Sequence, residues 1–195
     1  ESQYIGEQYA GSKANVALKV EGTNCIGGIA GYAEHKSKIS NIYVAASVTG
    51  TEHVGGAIGK YKSDVYEKIS YVSAYNSGDN TVGYHFDIAN SSPYKNCYIQ
   101  GVIIGAGEKD KDGNRNSVSI TAHDVSCGGI VGYISGSVIV SHCINYSPIS
   151  NGKRYKNKGG NFGFGGIAGD LSRWDEKGTS PLLYYCVNTG DINAD

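Results

Sequence analysis

Five cysteines are the residues in this chain most able to do chemistry. Cys25 and Cys127 stand just before a pair of glycines, while Cys97, Cys143 and Cys186 open the short segments "CYIQGVIIG", "CINYSPIS" and "CVNTGDI". Thiols placed so regularly could bridge or hold a metal. No two of them form a CxxC pair, which disfavours a zinc ribbon, and an odd number makes no evident disulfide framework. The alternative is that cysteine serves as a small hydrophobe filling a narrow interior. Largely free thiols are expected on that reading.

Oxygen and nitrogen ligands are as sparse. "DKDGNRN" (110–116) offers Asp110, Asp112, Asn114 and Asn116 at alternate positions, as calcium loops do. Its glycine falls at the fourth loop position, however, and Thr121 stands where a bidentate glutamate is needed. An Asp-Gly turn explains the same residues. His35, His53, His85, His123 and His142 sit in no HExxH helix, and no G-x-S-x-G elbow or phosphate-binding glycine loop occurs. Asp79 and Asp191 lie near equivalent strand ends, yet no general-acid partner accompanies them. No catalytic residue, no metal ligand and no cofactor are therefore assigned.

Tyrosine is the surplus that invites a binding role, with 16 copies against three Phe and one Trp. Tyr43, Tyr75, Tyr98 and Tyr146 take the outward phase of successive alternating segments, so an exposed ladder is expected. Rigid amphipathic rings suit a sugar or a protein partner, although such ladders also stabilise sheet faces by themselves. Tyr155 and Trp174 join them as candidates, since both fall in loops beside the scaffold.

The elements that would position these residues come from a repeat. "CIGGIAGY" (25–32), "VGGAIGKY" (54–61), "CGGIVGY" (127–133) and "FGGIAGD" (164–170) share two glycines, two apolar residues and a further glycine. Gly27 and Gly55 are 28 positions apart, and "TVGYHF" places Gly83 another 28 on as a decayed copy. Later intervals are longer, which locates insertions at 106–117 and 151–162. Between the glycine motifs lie alternating strands: "ANVALKVEG", "IYVAASVTG", "AYNSGDN", "CYIQGVIIG", "CINYSPIS" and "CVNTGDI". Period-two alternation predicts an inward column of Ala14, Ile42, Ala74, Cys97, Cys143 and Cys186, and another of Val20, Val48, Asn80, Ile103, Ile149 and Ile192.

A unit of this length cannot bury its own apolar face, whereas stacked units can. The predicted fold is all-β, a parallel β-helix or β-solenoid of about 28-residue coils, right-handed, forming one domain over 1–195. Each glycine motif is a corner where the backbone turns sharply or meets the next coil. A β-sandwich with glycine-rich hairpins is the competing fold.

Composition narrows the partners. Seventeen basic residues balance 18 acidic ones, so nothing favours nucleic acid or an anionic membrane. No apolar run is long enough to cross a bilayer. No signal peptide stands at Glu1 and methionine is absent, which reads as an excised mature fragment continuing into further coils or another domain.

"IGGIAGY…ISNIYVAASVTG", "CGGIVGY…VSHCINYSPIS" and "FGGIAGD…YYCVNTGDI" resemble the GLUG repeat of bacterial surface proteins. The resemblance spans about 14 to 192. Such repeats occur in adhesin-like proteins and beside the catalytic domain of immunoglobulin A1-specific metalloproteases. The resemblance implies a non-catalytic, extracellular or cell-surface module that meets a protein or glycan and neighbouring domains of its own polypeptide. The alternatives are a spacer in a large secreted protease and, less favoured, a polysaccharide-active β-helix enzyme.

Overall fold

The computed structural model describes residues 3–5, 18–63, 74–76, 82–84, 97–105, 118–152, 163–172 and 181–193. Strands β1 (Gln3–Ile5), β2 (Leu18–Glu21), β3 (Asn24–Gly27), β4 (Ala30–Glu34) and β5 (Lys38–Ser40) make a first circuit. A second runs through β6 (Ile42–Val44), β7 (Ala46–Gly55) and β8 (Ile58–Lys62). It then meets a hairpin of β9 (Ala74–Asn76) and β10 (Val82–Tyr84) before β11 (Tyr98–Gln100). The third comprises β12 (Ile103–Ile104), β13 (Ile120–Gly128), β14 (Val131–Ser135) and β15 (Ile139–Ser141). The fourth comprises β16 (Ile144–Asn145), β17 (Ile149–Asn151), β18 (Phe164–Gly165), β19 (Ala168–Ser172) and β20 (Leu182–Tyr184). Two last strands, β21 (Val187–Asn188) and β22 (Ile192–Asn193), start a fifth.

Four stacked sheets result, each taking one strand or strand pair from every circuit it crosses. Their orders are β1-β6-β12-β16-β21, β2-β7-β13-β17-β22 with β3 and β18 alongside, β4-β8-β14-β19, and β5-β11-β15-β20. We call them the first, second, third and fourth sheets. Every pairing in them is parallel. The protein is thus all-β with parallel strands in stacked sheets, and no helix occurs among the described residues.

The glycine motif makes the corner between the second and third sheets, and its three glycines have three separate reasons. A Cβ on Gly55 would meet its own turn at the Ile58 carbonyl and the next circuit at Gly132 N, 2.7 Å away. The second glycine clears both the backbone carbonyl of the next circuit's second glycine, as at Gly28 and Gly56 O, and a side chain from across the core. A Cβ on Gly28 would lie 2.6 Å from Val44, one on Gly56 2.9 Å from Ile104, and one on Gly129 2.6 Å from Asn145. The third glycine presses backbone on backbone: a Cβ on Gly132 would come within 2.6 Å of Gly59 O, His53 C and Val54 N. None of these glycines has a positive φ. Close approach, rather than left-handed geometry, demands them.

Inside, Val44, Val48, Val54, Ile58, Ile99, Val102, Ile104, Ile120, Ile130, Ile134, Val140 and Ile149 are fully enclosed. The alternation expected from sequence is present, but two of its registers are corrected. Val20, Val48, Ile120, Ile149 and Ile192 form one column, so Ile120 takes the place expected for Ile103. Ile103 instead pairs with Tyr43 and Ile144 and is half-buried, while Ile104 is enclosed. Cys97 likewise leaves the cysteine column: Tyr98 pairs with Ile139, which places Cys97 beside Val138. The segment "CYIQGVIIG" starts in the fourth sheet and ends in the first, so an alignment on its cysteine is displaced.

The decayed copy is a second correction. Gly83 lies in β10, which pairs antiparallel with β9, opposite Tyr75, and joins none of the stacked sheets. Gly83 therefore makes no corner between the second and third sheets. Residues 106–117 and 153–162 lie outside the described residues. The registers show that extra chain enters there: Tyr43 faces Ile103 whereas Val48 faces Ile120, and β13 pairs both β17 and β18.

Candidate functional site

The four tyrosines of the expected ladder do not share a column. Tyr43 is enclosed at 8 % exposure, in register with Tyr4 and Ile103 in the first sheet. Tyr98 is half-buried in the fourth sheet, between Lys38 and Ile139. Tyr75 belongs to the antiparallel hairpin, and its side chain lies outside the described residues. Tyr146, just beyond β16, is exposed at 40 %. Tyr155, Trp174 and the "DKDGNRN" loop lie outside the described residues. Adjacent circuits differ in where extra chain enters, so outward phase in the sequence did not translate into one outward line.

A different aromatic group does assemble, at the corner where the fourth sheet passes into the first. One residue turns the backbone there in each circuit, always with positive φ: Asn41 (54°), Gly101 (64°), His142 (53°) and Tyr185 (51°). Backbone hydrogen bonds run up the corner, from Asn41 N to Gln100 O at 2.9 Å, Gly101 N to Ser141 O at 3.0 Å and His142 N to Tyr184 O at 3.3 Å. In the last two circuits the corner carries rings. The Tyr185 ring lies 5.3 Å from both Tyr184 and His142, and His142 lies 5.7 Å from Tyr184. Tyr185 is 77 % exposed, and Val187 two residues on is 50 % exposed. The signal was present in the sequence as "SHC" and "YYC" where earlier circuits read "SNI" and "QGV".

The outer face of the third sheet holds a second polar-aromatic column, Tyr32, Lys60, Tyr133 and Asp170. The Lys60 ammonium sits 5.9 Å from the Tyr32 ring and 5.1 Å from the Tyr133 ring, a cation–π sandwich. Tyr32 donates to Glu34 at 2.8 Å. His53 packs 4.9 Å from Tyr133. Burial, reinforced by the Lys60 charge, holds its imidazole below the ordinary histidine range.

All five cysteines are free. Burial pushes the Cys127 thiol up to about 12. Cys143 and Cys186 are stacked neighbours, because Val187 N donates to Cys143 O at 2.9 Å and Ile144 pairs with Val187. Cys143 donates to Ser141 O at 3.1 Å and Cys186 to Tyr184 O at 3.4 Å; the proximity of the two thiols and burial raise Cys143, and the neighbouring thiol lowers the more accessible Cys186. Above them Asn145, fully enclosed, donates to Asn188 Oδ1 at 2.7 Å and to Ser147 O at 2.9 Å, and accepts from Ser147 N at 3.1 Å. These inward groups are hydrogen-bonded parts of the core. Among the described residues no three His, Cys, Asp or Glu side chains gather to hold a metal.

The fold and these surfaces define a protein of parallel stacked sheets with a filled interior and an aromatic corner. Comparison with family models, curated proteins and solved structures returned no match.

Proposed function

We propose that the chain is a non-catalytic binding module, a right-handed β-solenoid of GLUG-like coils close to 28 residues each, displayed outside a bacterial cell. On this reading it presents a protein- or glycan-binding surface and abuts further domains of its own polypeptide. The observation that carries it is an aromatic side chain held outside an enclosed core in a circuit covered on both sides. Tyr146, just beyond β16, is 40 % exposed, while Cys143 and Asn145 beside it are fully enclosed. Side chains held out on an ordered scaffold lose little entropy when a partner covers them.

The test presents the purified, folded chain to a glycan array and to extracellular host and bacterial proteins in a pull-down. Saturable binding to at least one of them is expected, abolished by heat-unfolding the chain. Binding to neither would refute the module reading and leave the spacer reading. That alternative draws on the same stacked sheets, whose tight glycine corners make a stiff unit suited to separating domains.

A further inference from the structure

We infer that Cys143 and Cys186, stacked one above the other where the fourth sheet passes into the first, form a binding site for a soft cation that accepts linear two-coordination, of the Cu(I), Ag(I) or Hg(II) class. The site is built from inward groups and stands apart from any binding surface outside.

Register fixes the pair from both sides. Before the corner Ser141 faces Tyr184, and after it Ile144 faces Val187, so Cys143 faces Cys186. Val187 N donates to Cys143 O at 2.9 Å and closes the ladder between them.

The two sulfurs also share one pose. Cys143 Sγ donates to Ser141 O, two residues back, at 3.1 Å, and Cys186 Sγ to Tyr184 O, two residues back, at 3.4 Å. Each also reaches a carbonyl of the circuit beneath: Ile99 O lies 3.8 Å from Cys143 Sγ, and Val140 O lies 3.5 Å from Cys186 Sγ. Ile99 and Val140 are themselves register partners. The thiols are therefore copies displaced by a single circuit, which sets the sulfurs about 4.8 Å apart along the stacking direction. Both carbonyls that orient Cys186 lie in its own turn or beneath it, so the pose needs no circuit above.

That spacing separates the two things a thiol pair can do. A disulfide brings Cβ atoms to about 3.5–4.5 Å and sulfurs to about 2 Å, which would draw two hydrogen-bonded ladders together. Two thiolate–metal bonds of about 2.3 Å set end to end span roughly 4.6 Å and leave the ladders in place. Thiolates select soft ions, and two of them on one axis supply a linear donor pair. Binding breaks two S–H bonds and forms two S–metal bonds; two protons pass to the buffer and no electron moves. The cation would clamp neighbouring circuits together at this corner.

The test titrates the whole reduced chain, under anaerobic conditions, with Cu(I) delivered as its bicinchoninate complex. The chain should withdraw a single equivalent of Cu(I), and its Tm should rise. Cys143→Ser and Cys186→Ser should each weaken uptake about a hundredfold or more, although the other thiols remain free. Far-UV circular dichroism checks that both variants fold, and Cys186→Ser, at the less buried position, decides the matter if Cys143→Ser does not. Cys25→Ser and Cys97→Ser should match the parent. The site is overturned if the chain takes no Cu(I), if Cys186→Ser takes it as the parent does, or if Zn(II) binds as tightly. Ready closure of a Cys143–Cys186 disulfide by oxidised glutathione would overturn it too, since the sulfurs would then lie closer than one circuit.

Discussion

Replacing Gly132 by alanine should be among the most damaging single-methyl changes in the protein. The added Cβ would stand 2.6 Å from Gly59 O, His53 C and Val54 N, about 0.8 Å inside ordinary contact on three sides. All three are backbone atoms of strands or corners locked into parallel ladders, so no side chain can rotate away. Overpacking a tight core typically destabilises by about 1–3 kcal/mol, and a clash with backbone alone belongs at the upper end. Alanine recovers about 0.4–1 kcal/mol by restricting the unfolded chain. The net expectation is a loss of about 2–3 kcal/mol, which for a chain of this size lowers Tm by roughly 8 °C. Gly22→Ala is the matched control. Its Cβ would meet only the Ile26 side chain, whose Cδ1 lies 2.5 Å away and can swing aside, so a change within about 0.5 kcal/mol is expected. Urea unfolding followed by circular dichroism measures both. If Gly132→Ala is as stable as the parent, backbones do not meet at this corner and the account of the third glycine is wrong.

Four further outcomes follow from the same geometry. Ile104→Asp should unfold the chain, with a loss above about 4 kcal/mol, while Ile103→Asp at the half-buried neighbouring position should lose under about 2 kcal/mol; equal effects in urea titrations would return the core to the other register. Asn145→Ala should destabilise by about 3 kcal/mol because Ser147 N and O lose their side-chain partner in a sealed interior; thermal unfolding would reveal a neutral change if the ladder adds nothing. His53, with a folded pKa below its unfolded value, resists protonation when native, so stability is full above about pH 6.5 and falls as pH drops below it. That acid loss should shrink in His53→Gln, and a profile identical to the parent's would contradict the shift. Finally, a thiol reagent should titrate five thiols in denatured, unreduced protein, and in the native protein Cys186 should react ahead of Cys97, Cys127 and Cys143; slow labelling at Cys186 would count against a lowered, more accessible thiol there.

Much of the architecture was legible in the residues themselves. Period-two alternation in "IYVAASVTG" and the repeated glycine triplets imply short strands and tight corners. The column through Val20, Val48, Ile149 and Ile192 follows from those alone. These features are local: alternation decides which side chains face in, and a missing Cβ permits backbone contact wherever it occurs. Register between circuits is not local. It depends on where each extra stretch enters, and the hairpin β9–β10 with the chain between β12 and β13 moved Ile103, Cys97 and Tyr98 out of their expected columns. The aromatic corner was hidden for the same reason, since Asn41, Gly101, His142 and Tyr185 share no residue type and become equivalent only when the circuits are stacked. Residue identity determines what a side chain can do and which face of a strand it takes. The hydrogen-bonded stacking of distant circuits decides which side chains stand together, because ladders pair strands through backbone groups that every residue carries alike.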